Sequence, residues 1–201
     1  MVTSCGFDSL SGHQSSNYGS SLKFCSNCGA AVVTKIPDGD HLARFVCESC
    51  GVVHYKNPLL VLGCVPEWQG KILLCRRAIE PRRGFWTVPA GFMEIGETMQ
   101  DAARRECFEE AQAEVRIGSL LAAVNVTHAG QVHVMFRARL LHPGFGPGPE
   151  SLEVGLFEEG EIPWRELAFP SGEFTLRRYF ADRAAGREDH HFTELTGALR
   201  A

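Results

Sequence analysis

The stretch Gly91-Phe92-Met93-Glu94-Ile95-Gly96-Glu97, continued by Arg105-Glu106-Cys107-Phe108-Glu109-Glu110, decides how this chain is read. Residues 98–112 form its strongest helix candidate. Thr98-x-x-Asp101 fits a capping box, and the interior carries neither proline nor glycine. At ~100° per residue, Glu106, Glu109 and Glu110 fall within an arc of about 100° on that helix. Three like charges packed so closely repel. Divalent cations turn that repulsion into attraction, because hard carboxylate oxygens suit Mg²⁺ or Mn²⁺. Glu97 and Arg105 add an ion pair that would fix the geometry. A solvated acidic face is the plainer reading, and from the glutamates alone it is the more ordinary one.

The texture on either side is that of strands. Upstream, Leu59 to Val65 and Lys71 to Cys75 flank Glu67-Trp68-Gln69-Gly70 and read as a hairpin. Arg76 to Gly84 is a charged loop, and Phe85 to Gly91 is an irregular, glycine-ended approach to a site. Downstream, strands are expected around residues 119–127 and 131–141. In the second, Val132, Val134, Phe136, Ala138 and Leu140 alternate with His133, Met135, Arg137 and Arg139, which predicts one core face. His142 to Pro149 is a Gly/Pro loop, and Leu152 to Phe157 returns to strand. A second helix is expected over 172–185, with Ser171 as its cap. His128 and His133 need no special role.

Cys25-Ser26-Asn27-Cys28 and Cys47-Glu48-Ser49-Cys50 give the spacing C-x2-C-x18-C-x2-C. Each pair can turn two thiolates toward one point, and two such knuckles complete a tetrahedral Zn²⁺ site. A segment this short buries little apolar surface, so the metal would supply its folding energy. A closed structural site that supports the main domain or a homodimer is the plainer role. Nucleic-acid recognition is disfavoured, since the ribbon offers only Lys23, Lys35 and Arg44 as cations. The expected organisation is a flexible Ser/Gly-rich leader (1–21), a zinc ribbon (22–54), a main domain (55–185) and a polar tail (186–201).

Composition sets outer bounds. With 44% hydrophobic and 22% charged residues the 201-residue chain is globular in kind. No apolar run approaches the ~20 residues of a membrane span. A net charge of −4 argues against a broad nucleic-acid-binding surface, so a phosphate-rich ligand needs metal ions or a few local arginines. The paired cysteines and the lack of a secretory signal predict a reducing, cytoplasmic setting.

The wider spacing resembles the box of the Nudix hydrolases, G-x5-E-x7-R-E-U-x-E-E-x-G-U, where U is a bulky aliphatic residue. Gly91, Glu97, Arg105, Glu106, Glu109 and Glu110 fill six of its seven fixed positions. At average residue usages, chance gives that match at a given start about once in ten million. Gln112 stands where the box has glycine, and Cys107 and Ala113 are weak U residues. Either Gln112 adopts a left-handed conformation, or the helix runs on past it.

The N-terminal ribbon, Tyr55-Lys56-Asn57-Pro58, Leu73-Leu74-Cys75-Arg76-Arg77, Gly84 to Gly91, Pro147 to Glu153 and Glu161-Ile162-Pro163-Trp164 are similar to the FAD and ADP-ribose pyrophosphatase branch. The resemblance implies an α/β fold, an α/β/α sandwich around a mixed sheet, with the small zinc-ribbon domain in front. It implies hydrolysis of a nucleoside diphosphate linked to a second group, a dinucleotide or nucleotide sugar. Glu106, Glu109, Glu110 and the Gly91 carbonyl would hold Mg²⁺ or Mn²⁺, and the catalytic set would comprise Arg105, Glu106 and Glu109. The general base would be a box glutamate or Glu153. Phe85 and Trp86 could stack on a base, although aromatics beside a strand are more often core. Arg76, Arg77, Arg82 and Arg83 could clamp phosphate, with a solvated surface role the plainer one for each. An NADH pyrophosphatase or NAD-decapping enzyme is the rival enzyme. Its Ser-Gln-Pro-Trp-Pro-Phe-Pro stretch is replaced here by Ala122 to His128. A non-catalytic ligand sensor is the rival of a different class.

Overall fold

The computed structural model describes residues 22–197, so the expected leader lies outside the described residues. The chain divides into a unit ending at Lys56 and a unit from Asn57 onward. In the first, β1 (Val32–Lys35), β2 (Arg44–Cys47) and β3 (Val53–His54) form a small antiparallel sheet. Among the described residues, no helix is long and apolar enough to cross a membrane.

The second unit is built on an eight-stranded mixed sheet. Its first hairpin joins β4 (Leu59–Trp68) to β5 (Lys71–Arg77). Gln69 and Gly70 between them both have positive φ, the two-residue turn whose twist suits adjacent antiparallel strands. Two short strands follow, β6 (Trp86–Thr87) on β5 and β7 (Ala90–Phe92) on β4. After helix α1 (Met99–Ala111) come β8 (Val115–Val126), β9 (Gln131–Leu140) and β10 (Ser151–Phe157). Helix α2 (Pro170–Ala185) and β11 (His191–Leu195) complete the unit. The main path across the sheet is β10-β5-β4-β9-β8-β11.

Helices cover both faces of this sheet. On one, Ala102, Ala103, Cys107 and Ala111 of α1 pack on Leu62, Cys64, Leu73, Cys75, Val134 and Phe136. On the other, Leu176 and Phe180 of α2 pack on Val65, Ile72, Leu74, Leu121, Val124 and Met135. The fold is thus the α/β/α sandwich. It also corrects the reading of β9 as a strand with a single core face. As a central strand it is covered on both sides, and even His133 and Arg137 are buried.

The ends of α1 explain its place. Thr98 is the N-cap and accepts the Asp101 amide at 3.2 Å, while its hydroxyl donates to the Asp101 carboxylate at 2.6 Å. At the other end Gln112 takes the left-handed conformation that glycine usually fills, at φ 50° and ψ 28°. Its amide donates to Phe108 O at 2.7 Å, and its side chain donates to Pro147 O at 3.1 Å. The side-chain bond offsets part of a conformational cost of about 1 kcal/mol. Gly146 and Gly148 donate to the carbonyls of Ala111 and Glu110 at 2.8 and 3.0 Å. A Cβ on Gly148 would fall on the Glu109 carbonyl oxygen, so this loop closes on the helix end only as glycine.

Two expectations fail in the C-terminal third. Helix α2 begins at Pro170 with Phe169 as N-cap, not after Ser171. Proline's fixed φ is already helical at that first position, and Ser171 lies inside the turn, where its hydroxyl meets His133 Nδ1 at 2.9 Å. His133 Nε2 faces the Gln131 side-chain oxygen at 2.9 Å, and burial pushes the imidazole down to about 4, so it is neutral at pH 7. The expected polar tail instead supplies β11, which runs parallel to β8 from His191↔Ala122 to Leu195↔Val126.

A buried ion network holds that last strand. Arg137 pairs with Asp182 of α2 and donates to the carbonyls of Leu120 and Asp189 at 2.9 Å each. His191 Nε2 lies 3.0 Å from both Asp182 oxygens. Asp182→Ala strands a buried guanidinium and should cost about 3–5 kcal/mol. Arg177→Ala, which breaks the exposed pair to Glu173 and removes a guanidinium 4.4 Å over the Trp164 ring, should cost at most about 1.5 kcal/mol. Urea unfolding of both variants tests this, and equal losses would contradict it.

Candidate functional site

The first unit brings its four cysteines together. In each knuckle the glycine after the second cysteine sits at φ 75° and donates to the carbonyl of the first, Gly29 to Cys25 and Gly51 to Cys47, at 2.9 Å. The Sγ atoms of Cys25, Cys28, Cys47 and Cys50 all lie within 4.8 Å of one another, with Cys25–Cys50 at 3.6 Å and Cys28–Cys47 at 3.4 Å. Four sulfurs around one zinc, each about 2.3 Å from it, stand about 3.8 Å apart. The quartet therefore fits a tetrahedral soft-metal ion with little movement. Hydrogen bonds from the Val52 amide and the Asn27 side chain hold Cys50 down at about 6, favouring the thiolate. His54 Nε2, 3.3 Å from Cys25 Sγ, is an outer partner that the cysteine spacing did not reveal.

In the second unit the site is built around Arg105. Its Nε and Nη2 make a two-pronged bond to Glu97 at 3.1 and 2.9 Å. Nη1 donates to Glu106 at 2.6 Å and Glu109 at 3.0 Å, and Nη2 also donates to Phe92 O at 3.0 Å. Glu97 in turn accepts the Glu94 amide at 2.6 Å, which ties the loop before α1 to the helix. Glu109 is largely exposed, whereas Glu106 and Glu110 are buried. The Glu106 carboxylate lies flat against Gly91, where any Cβ would collide with it.

Glu106 and Glu110 are short of positive charge. Burial pushes Glu106 up to about 7 against the bond from Arg105, with Glu109 and Glu150 adding to the rise. Burial and the Glu106 charge push Glu110 up to about 8, opposed by the Ala90 amide at 3.2 Å and by Arg77. Two neighbouring buried carboxyls with so few donors form a hard-oxygen set that a divalent cation would satisfy.

Strand parity separates the remaining candidates. On β5, Leu73 and Cys75 face the α1 core, and Ile72 and Leu74 face the α2 core. The alternation puts Arg76 on the α2 face and Arg77 on the α1 face. Arg76 donates to Gly84 O at 2.9 Å and pairs with Glu153, its cross-strand neighbour, at 3.5 Å. Arg76 and Glu153 are therefore turned away from the glutamates of α1. Trp86, the cross-strand neighbour of Arg76, is 8% exposed and packs edge-on against Phe157 at 4.9 Å. It is a core residue with no ring face open for stacking. Phe85 stays partly open, with the Arg82 guanidinium 5.1 Å over its ring. Glu150 and Arg77, neither of them a leading candidate from sequence, are the charges that act on Glu110 from outside α1.

A family model described as the NUDIX domain matches residues 58–175, and one described as Nudix N-terminal, a zinc ribbon, matches residues 23–56. The chain belongs to the Nudix hydrolase family. Among solved structures it is similar to a NUDIX hydrolase from Nitrosomonas europaea, with 49% identity and a TM-score of 0.84. That match covers 87% of this chain and 99% of the other. Among curated proteins, an ADP-ribose pyrophosphatase of Methanocaldococcus jannaschii is 28% identical, over 57% of this chain and 69% of the relative. An NAD-capped RNA hydrolase of Vibrio parahaemolyticus is 31% identical over 48% of this chain, which spans only 35% of that relative's length.

Both centres lead to measurements. Cys47→Ser should lower the zinc content of the purified protein, read by atomic absorption; an unchanged stoichiometry would contradict the four-cysteine site. In magnesium-free buffer without chelator, which leaves a ribbon metal in place, the folded chain holds extra protons on Glu106 and Glu110 from near pH 4.5, where an unfolded glutamate titrates, up to about 7 and 8. Stability then falls as pH climbs through that window. His133 works the opposite way, from about 4 up to its ordinary 6.5, and offsets part of the fall below that pH. The melting temperature in that buffer should drop between about pH 6.5 and 8, and Glu110→Gln should remove much of the drop. A flat wild-type profile would refute the uncompensated pair.

Proposed function

We propose that the protein is a divalent-metal-dependent pyrophosphatase that cleaves a nucleoside diphosphate joined to a second group. ADP-ribose and FAD are the substrates proposed. The observation that carries this reading is the buried pair Glu106 and Glu110, seated beside Gly91 and short of positive charge. Glu106 and Glu110 would hold Mg²⁺ or Mn²⁺, joined by the Gly91 carbonyl and, through a water, by Glu109. When bound, such an ion neutralises diphosphate oxygens and makes a coordinated water more acidic.

The chain's own residues supply the rest. Arg105, locked by Glu97, orients Glu106 and Glu109. Glu109, held by a single bond through one oxygen, keeps the other oxygen open and is the proposed general base. It takes a proton as the water oxygen bonds to phosphorus and the bridging P–O bond breaks. ADP-ribose then yields AMP and ribose 5-phosphate, and FAD yields FMN and AMP. Phe85 is the aromatic proposed to meet the base. Zinc at the four cysteines is proposed to hold the ribbon.

The match to NAD-capped RNA hydrolases favours one second reading, cleavage of the diphosphate of NADH or of an NAD cap. Incubation with Mg²⁺ and a panel of ADP-ribose, FAD, NADH and nucleoside triphosphates separates the two by products. The expected outcome is AMP from ADP-ribose or FAD, with kcat falling about a hundredfold or more in Glu109→Gln and Glu110→Gln while the fold is kept. Preference for NADH would move the substrate to the second reading. No turnover of any member would favour a ligand sensor.

A further inference from the structure

Arg76, Arg77, Arg82 and Arg83 are the arginines the sequence offers for phosphate, and with Arg105 beside them their placement favours one. Arg76 lies on the α2 face, bonded to Gly84 O and Glu153. Arg82 stacks over Phe85. Arg83 is exposed, with no hydrogen bond, ion pair or ring contact among the described residues to orient it. Arg105 is filled by three carboxylates and a carbonyl. Arg77 differs from all of these.

Arg77 ends β5 on the face that carries Glu106 and Glu110. Its backbone is fixed on both sides, with its amide donating to Phe85 O at 2.9 Å and its carbonyl accepting Gly84 N at 2.8 Å. Its Nε donates to Pro81 O at 2.8 Å, and its guanidinium lies 5.1 Å over the Phe169 ring. These contacts fix the orientation of the group. Its two terminal nitrogens make no hydrogen bond or ion pair among the described residues. A half-buried guanidinium held in this way has lost part of its hydration, yet no carboxylate closes on its fork. That is the state of a cation prepared for an anion from outside.

We propose that Arg77, rather than Arg76, is the substrate-positioning cation, its two terminal nitrogens taking one phosphate of the diphosphate while Glu106, Glu109 and Glu110 serve the metal side. The assignment rests on the pyrophosphatase reading for its ligand, a nucleoside diphosphate. Two parallel N–H···O bonds match a phosphate in a way a lysine ammonium does not, so the fork as well as the charge matters.

Calorimetric titration of ADP into the Mg²⁺-loaded protein tests this without requiring turnover. Arg77→Gln should weaken ADP about ten- to hundredfold, and Arg77→Lys should recover only part of the loss. Arg76→Gln should change it by less than about threefold, since its bonds are internal. In turnover of ADP-ribose, Arg77→Lys should raise KM more than it lowers kcat. Melting curves accompany each variant; if Arg77→Gln does not fold, Arg77→Lys carries the comparison. The proposal is overturned if the folded Arg77 variants bind ADP like the wild type, if Arg76→Gln loses as much, or if wild-type protein does not bind ADP. Wild-type protein that binds ADP through Arg77 but hydrolyses nothing would retire the hydrolase reading and leave this one standing.

Discussion

Helix α1 packs on the sheet with Arg105 seated among its acids. Glu106 and Glu110 are one turn apart and buried, and Glu109 stands beside them. Near a protein surface, unit charges 4 Å apart repel by about 4 kcal/mol, and more as water is excluded. A single guanidinium that reaches Glu97, Glu106, Glu109 and the Phe92 carbonyl offsets part of that repulsion. It does not reach Glu110. That carboxyl meets only a backbone amide and the more distant Arg77. The remaining deficit of positive charge is what the proposed ion would fill.

A deficit of this kind is useful only if the helix cannot move to relieve it. Both ends of α1 are fixed, at Thr98 by a side-chain cap and at Gln112 by the loop through Gly146 and Gly148. The same loop runs directly into Glu150, whose carbonyl accepts the Ala78 amide at 2.8 Å. The end of α1, the end of β5 and the start of β10 are thus tied by backbone bonds. Side chains on rigid elements keep a site's geometry better than side chains on loops. This is why Gln112 in place of glycine is tolerable: the helix still ends where it must, and the amide side chain adds a bond to Pro147.

Much of this was legible in the sequence, because local chemistry dictated it. The two cysteine knuckles, the Gln69-Gly70 turn, the Thr98 cap and the spacing from Gly91 to Glu110 each depend on residues a few positions apart. What failed depended on tertiary context. Strand β11 follows a run of charged and imidazole side chains, and only pairing with β8 makes it a strand. Ser171 looked like a cap because serine usually is one, but Pro170 had already started the helix. The alternation in β9 suggested one wet face, yet a second helix covers it. Arg76 and Arg77 are adjacent in sequence and equivalent in composition; which of them faces α1 follows only from knowing which residues of β5 enter which core.

The two candidate metal centres also differ in a way that keeps them apart. The ribbon offers four sulfurs in a closed quartet, with Asn27 and His54 beyond them. Such a set selects a soft or borderline ion and leaves no position for a substrate. The box offers the carboxylates of Glu106 and Glu110, with Glu109 exposed beside them. Oxygen donors of that kind bind hard ions weakly enough to keep water and ligand positions free. An ion suited to one centre is poorly held by the other, so the fold-supporting metal and the chemistry-supporting metal need not compete. For the ribbon, binding energy goes into folding. At α1, on the proposed reading, the buried acids withhold that energy from folding and leave it for an ion and a diphosphate arriving together.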